Sequence, residues 1–183
     1  MSGVQGFLER LVAALTKADV AYMVAGSYAS TFHGTPRTTQ DIDLVIDPNG
    51  HTLATLLAEF PEDRYYVSID AANEALRRRG QFNVIDFDSG WKSDLIIRKQ
   101  RPFSEVEFAR RRRGTLVGTE VFIASAEDTV LSKLEWARSG ASERQIRDVQ
   151  GVLSVQGDNL DLDYIEHWVA ALGVQEQWQA ALG

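Results

Sequence analysis

Asp41 and Asp43, two residues apart, are the first side chains in this sequence whose type and spacing can do chemistry. In an extended segment, residues two apart leave the same face, so both carboxylates point to one place. Two carboxylates that close repel one another, and at least one pKa rises unless a cation lies between them. Hard oxygen donors in this pattern suit Mg²⁺ or Mn²⁺, and Mg²⁺ keeps waters and takes substrate phosphates as further ligands. The plainer alternative is an acidic strand edge or a strand-end cap. A third acid is available downstream in Asp86, Asp88 or Asp94. Asp88 falls in Asp88-Ser89-Gly90, where an aspartate serves the turn itself. Asp86 and Asp94 both lie in apolar segments, where an unpaired charge is costly.

A second group lies upstream. The apolar run of residues 20–25 ends at Gly26-Ser27, which reads as a strand entering a tight turn and a short helix near residues 28–32. The glycine permits close backbone approach, and a helix N-terminus presents N–H groups to an anion. The Ser27 hydroxyl either bonds a phosphate oxygen or caps the helix. Arg37 stands in the loop of residues 33–39, placed to clamp a triphosphate bidentately or to bond a nearby carboxylate. His33 is a loop histidine with no partner visible in the sequence, and His51 and His167 carry no signal.

The elements that must position these residues follow from periodicity. Phe7, Leu8, Leu11, Val12 and Leu15 recur at helical spacing, so an amphipathic helix opens the chain. Residues 41–47 alternate as a strand, with Ile42, Leu44 and Ile46 toward the core, and Pro48-Asn49-Gly50 closes it. Leucines at helical spacing mark residues 52–60; an edge strand is expected over 64–69 and a helix over 71–79. Residues 82–87 and 91–97 flank Asp88-Ser89-Gly90 as a hairpin. Ser125 to Asp128 fits a capping box ahead of Val130, Leu131 and Leu134, and Ser142 to Gln145 starts another helix ahead of Ile146, Val149 and Leu153. Two further helices are expected over 161–171 and 174–182. Strands early and helices late predict an α+β fold: a mixed sheet flanked by helices over residues 1–115, then a mostly helical subdomain over 116–183.

Val24-Ala25-Gly26-Ser27 followed by Thr39-Gln40-Asp41-Ile42-Asp43-Leu44 resembles the signature of the nucleotidyltransferase superfamily that includes DNA polymerase beta. The resemblance covers roughly residues 20–97 and implies a catalytic core of that fold. It implies that Asp41, Asp43 and a third acid hold two divalent ions, and that a nucleoside monophosphate moves from an NTP to an acceptor. Lys92-Ser93-Asp94-Leu95-Ile96 resembles the superfamily's third motif, a lone acid before aliphatics, so Asp94 is preferred over Asp86. Glu127-Asp128 through Lys133, then Arg147-Asp148, is similar to the looser later motifs of toxin nucleotidyltransferases from bacterial toxin–antitoxin pairs. That similarity implies a triphosphate contact for Lys133 and an antitoxin as partner. From helix geometry alone, Lys133 borders the Val130/Leu134 stripe with its stem packed or is an ordinary solvated lysine, and Asp148 sits four residues after Arg144, at ion-pair spacing.

Bulk properties narrow the classes. The chain of 183 residues with 44% hydrophobic content is long enough for one good core. It has no cysteine, which excludes disulfides and thiolate metal sites. No apolar run approaches the ~20 residues that span a bilayer, and the first residues lack a secretory signal, so a cytoplasmic protein without membrane contact is expected. A net charge of −7 argues against nucleic-acid binding over the whole surface. Arg77 to Arg79 and Arg110 to Arg113 are either solvated helix faces or local patches for triphosphate or RNA. The expectation is metal-dependent nucleotidyl transfer, with Asp41, Asp43 and Asp94 on the metal and Gly26, Ser27, Arg37 and Lys133 on the nucleotide. The acceptor is open among small molecules, tRNA and protein. The rival from another class is a non-catalytic nucleotide- or partner-binding module on the same fold.

Overall fold

Fifteen of the first seventeen residues wind into a helix without a Pro or β-branched run, and their apolar members face one way. In the computed structural model, which describes residues 3–140 and 142–183, this is α1 (Gly3–Lys17), with Phe7, Leu8, Leu11 and Leu15 buried. The chain divides into two compact units, one formed by residues 1–24 and 39–123, the other by 25–38 and 124–183.

The first unit contains the whole sheet. Its strands are β1 (Tyr22–Val24), β2 (Asp41–Ile46), β3 (Tyr65–Val67), β4 (Gln81–Asp86), β5 (Lys92–Ile97), β6 (Arg112–Leu116) and β7 (Thr119–Ile123). They lie in the order β3-β4-β5-β2-β1-β7-β6. β2 and β5 run parallel, whereas β1–β2, β3–β4, β4–β5 and β6–β7 are antiparallel, so the sheet is mixed. Alternation along β2 and β5 buries Ile42, Leu44, Ile46, Ser93, Leu95 and Ile97 on one face. The helices of this unit besides α1 are α3 (Gly50–Leu57), α4 (Ile69–Arg78) and α5 (Pro102–Ala109), α2 (Gly26–His33) belonging to the other unit. Asn49 starts α3 with a full capping box, accepting from the His51 and Thr52 amides, and Ser68 starts α4 by accepting from the Ala71 amide. The expected hairpin over Asp88-Ser89-Gly90 forms between β4 and β5, with Gly90 at φ +70°.

The second unit is helical: α2 (Gly26–His33), α6 (Ala126–Arg138), α7 (Ser142–Gln156), α8 (Leu162–Leu172) and α9 (Gln175–Leu182). Val130, Leu131, Leu134, Val149, Val152, Ile165 and Trp178 are buried. The Ser125 hydroxyl caps α6 as its pattern predicts, accepting from the Asp128 amide at 3.1 Å. The Asp128 carboxylate completes no box. It accepts instead from the Ser125 and Tyr164 hydroxyls. The start expected at Ser142 coincides with α7, but the Ser142 side chain lies outside the described residues.

Residue 115 lies inside β6, and residues 25–38 group with the later helices, α2 packing on α6 and α7. One expectation needs correction. The Arg110–Arg113 run is no helix face: Arg110 ends α5 and Arg112 and Arg113 lie on the sheet-edge strand β6, where both are exposed.

Close packing in the second unit yields a test. A Cβ added at Gly34 would lie 2.7 Å from the Val152 amide nitrogen and 2.8 Å from the Gly151 carbonyl carbon. These are backbone atoms that no rotamer can move aside. Gly34→Ala is therefore expected to cost about 1–3 kcal/mol, lowering a thermal melt by several degrees. An unchanged melt would refute this close contact between Gly34 and α7.

Candidate functional site

The carboxylates of the first unit are placed by strand register. β2 carries Asp41 and Asp43 on the face opposite Ile42 and Leu44. β5 runs parallel beside it, with Lys92 in register with Asp41 and Asp94 in register with Asp43. Four charged side chains thus occupy a square on one face of the sheet, three acids and one ammonium. Lys92 Nζ lies 3.4 Å from Asp41 Oδ2 and donates to Asp94 Oδ2 at 3.2 Å. Burial works against the lysine's charge, but the bonds from Asp94 and Asp41 outweigh it and raise the Lys92 pKa above its ordinary value.

Asp86 has a different environment. It shares the buried face of β4 with Phe82 and Val84, whereas Asn83, on the other face, is the register partner of Asp94. The Asp86 side chain is fully buried and accepts from Arg10 Nη2 at 2.7 Å, Arg64 Nε at 3.3 Å and the Ser89 hydroxyl. Burial alone would raise its pKa; the Ser89 hydroxyl and the two guanidiniums more than offset this and lower it. Of the two acids left open by the residues, Asp94 is the one beside Asp43, and Asp86 is fixed in the core by a hydrogen-bonded ion cluster.

The second unit brings Ser27, Arg37 and Lys133 together around Asp148. Gly26, at φ +58°, opens α2, and no side chain caps that helix. Ser27 caps nothing: its hydroxyl accepts from Arg37 Nη2. Arg37 Nε and Nη2 donate to the two oxygens of Asp148 at 2.9 and 3.1 Å, a bidentate pair. Lys133 Nζ donates to Asp148 Oδ2 at 2.7 Å, and Ser30 Oγ lies 3.5 Å from the same oxygen while donating to the Ser27 carbonyl. The Lys133 and Asp148 side chains are 6% and 7% exposed, so Lys133 is not a solvated lysine. Asp148 does not use Arg144 at helical spacing; its partners come from 15 and 111 residues away. Burial pushes the Asp148 carboxyl up, and the bonds from Arg37 and Lys133 hold it below its ordinary value. A guanidinium and an ammonium thus share one carboxylate beside two hydroxyls, donors of the kinds that bind phosphate. His33, predicted as a loop histidine, ends α2 and its Nε2 pairs with the Ala124 carbonyl oxygen at 2.7 Å.

The chain matches no protein-family model, and no curated protein matches it by sequence. Solved structures do match over nearly its whole length. The antibiotic-resistance factor ANT(2'')-Ia in solution aligns over 96% of this chain and 95% of its own at 17% identity, with a TM-score of 0.62. The crystal structure of ANT(2'')-Ia in complex with adenylyl-2''-tobramycin aligns over 94% and 97% at 16% identity, TM-score 0.59. An antigenic nucleotidyltransferase-like protein from Paracoccidioides brasiliensis aligns over 93% and 89% at 18% identity, TM-score 0.57. The chain has the nucleotidyltransferase fold.

Within this nucleotidyltransferase fold, the donor set of Asp41, Asp43 and Asp94 is chemically right for a hard divalent cation: carboxylate oxygens, one face, adjacent strands. Among the described residues, however, no group of three or more His, Asp or Glu side chains already has the arrangement of a metal cage. Lys92 stands between two of the acids instead. Reading the sequence for site residues passed over Lys92, although the period of two that pairs Asp41 with Asp43 also pairs Lys92 with Asp94. It also left Asp148 outside the nucleotide set, because nothing local links it to Arg37. Among the described residues, no helix of the nucleotidyltransferase fold is long and apolar enough to cross a membrane.

Proposed function

We propose that the protein transfers a nucleoside monophosphate from an NTP to a hydroxyl acceptor with the help of Mg²⁺ or Mn²⁺. The observation that carries this reading is the register of β2 and β5, which sets Asp43 beside Asp94 and Asp41 on the same face. In this reading Asp41, Asp43 and Asp94 supply the oxygen donors that hold the metal. A bound divalent ion lowers the acceptor hydroxyl's pKa and neutralises charge on the leaving pyrophosphate. Ser27 and the start of α2 at Gly26 bind phosphate through hydroxyl and amide donors, and Arg37 and Lys133 neutralise its charge. Asp148 keeps those two cations oriented and prevents their mutual repulsion from opening the cluster. A hydroxyl acceptor needs positioning and charge neutralisation more than a dedicated base, and no histidine is assigned that role. ANT(2'')-Ia was crystallised in complex with adenylyl-2''-tobramycin, and this reading carries an adenylylated molecule of that kind to the present chain as the type of product. The narrower reading as a cytoplasmic toxin with an antitoxin partner rests on the motif around Lys133 and Arg147-Asp148, with tRNA or protein as acceptor.

A specific observation favours a second reading. Lys92 already pairs with Asp41 and Asp94, and Asp148 already pairs with Arg37 and Lys133. A chain with both clusters internally satisfied suits a non-catalytic nucleotide- or partner-binding module. Calorimetry separates the readings. NTP affinity is expected to rise by about tenfold or more when Mn²⁺ is added, because phosphates complete the ion's shell. Equal affinity with and without the ion would leave the binding module as the better account.

A further inference from the structure

The square on the face of β2 and β5 holds three carboxylates, and its fourth corner is an ammonium. Lys92 is in register with Asp41 and two residues before Asp94, so the strand period puts it on that face whatever its rotamer. Its Nζ bonds Asp94 and reaches Asp41, bringing acids from two strands onto one positive charge. The lysine side chain is 31% exposed and Asp94 16%, so the contact is partly shielded from water and only partly screened. A divalent ion bound to Asp41 and Asp94 and the Lys92 ammonium need the same carboxylate oxygens and repel each other. Each therefore weakens the other's hold on them.

We infer that Lys92 is a built-in counter-ion of the carboxylate set, a positioning residue that holds Asp41 and Asp94 together without metal and that a divalent ion must displace. This rests on the proposal that Asp41, Asp43 and Asp94 are metal ligands. It accounts for how Asp41 and Asp94, set on one face by their strands, are compensated without metal. It also sets the order of loading. Metal alone competes with the lysine and binds weakly; metal arriving with a triphosphate brings extra oxygens and negative charge, and the displaced ammonium gains phosphate as a new partner. Lys92 thus biases the site toward the metal–nucleotide complex over the free ion.

The test uses the full chain and Mn²⁺ alone, with bound ion read by electron paramagnetic resonance and melting followed in the same buffers. Lys92→Met is expected to bind Mn²⁺ about tenfold more tightly than the wild type, since a positive charge next to the donors is gone. Its metal-free melt should fall, because Asp41 and Asp94 lose the ammonium they share, and Mn²⁺ should restore it. Lys92→Arg, which keeps the charge, should bind Mn²⁺ as weakly as the wild type. If Lys92→Met binds Mn²⁺ no more tightly than the wild type, the counter-ion role is wrong while the metal reading stands. If neither protein binds Mn²⁺ at millimolar concentration, the metal reading itself fails and the inference goes with it.

Discussion

Asp94→Asn is expected to lower nucleotidyl transfer by on the order of a thousandfold while leaving the metal-free melt close to that of the wild type. Asparagine keeps the shape of the side chain but donates one weak neutral oxygen in place of a carboxylate. Stability changes little because two effects oppose. The variant loses a bond to Lys92, and it also removes one of three negative charges that crowd the face. Asp86 should behave in the opposite way. Asp86→Ala strips the buried partner from Arg10 and Arg64, so its main loss is stability, and the fraction that folds should retain transfer. Asp88→Asn should be nearly silent, since its contact with Arg64 is an exposed ion pair. A large loss of activity in a well-folded Asp86 variant, with Asp94→Asn still active, would reverse the assignment of the third acid.

Asp148→Ala is expected to carry the largest stability cost of any single substitution in the helical unit. It takes from Lys133, 6% exposed, and Arg37, 23% exposed, the carboxylate that both bond. Removing one member of a buried ion cluster costs about 3–5 kcal/mol, and the part-exposed Arg37 places this case toward the lower end. For a chain of this size that corresponds to a melt lowered by roughly 6–15 °C. The double variant Asp148→Ala/Lys133→Met should recover part of the loss, which additive effects would not do. Acid adds a second readout. Because the folded Asp148 pKa is lowered, its stabilisation is complete above the ordinary carboxylate value of about 4 and is lost as pH falls through the lower folded value. The wild type should therefore lose more stability than Asp148→Asn on going from neutral pH to below about 4. Melts within a degree of wild type for Asp148→Ala would show that the cluster is not a buried ion network.

What was legible in the sequence was local. The alternation of residues 41–46 placed Asp41 and Asp43 on one face and Ile42, Leu44 and Ile46 on the other, and the structure has that pattern. The third acid needed more, because the parallel pairing of β2 with β5 spans about fifty residues and no local period encodes it. Asp148 shows the same limit. Helical spacing suggested Arg144, whereas its partners come from the loop before β2 and from α6. The β6–β7 hairpin was passed over for a chemical reason. Its turn, Val117-Gly118, has φ of +45° and +82°, a conformation favoured by Asn-Gly or Asp-Gly and resisted by a β-branched residue. β6 itself, Arg112 to Leu116, is polar and glycine-containing, as an exposed edge strand can be, and its composition gave no strand signal. The grouping of residues 25–38 with the last helices was likewise invisible, because it depends on where α2 packs and not on its own sequence.

Transfer itself is tested most directly by following the two ends of the nucleotide separately. Purified protein with Mg²⁺ is incubated with cell extract and each NTP, labelled in one series on the α-phosphate and in another on the γ-phosphate. The account predicts that one or more NTPs pass the α-label to an acceptor, that the γ-label leaves as pyrophosphate, and that Asp43→Asn abolishes both. Label from the γ-phosphate on the acceptor would mean phosphoryl transfer and a wrong reaction class. No transfer from any NTP, with wild type and Asp43→Asn alike, would contradict the enzyme reading and leave a binding module on a nucleotidyltransferase fold.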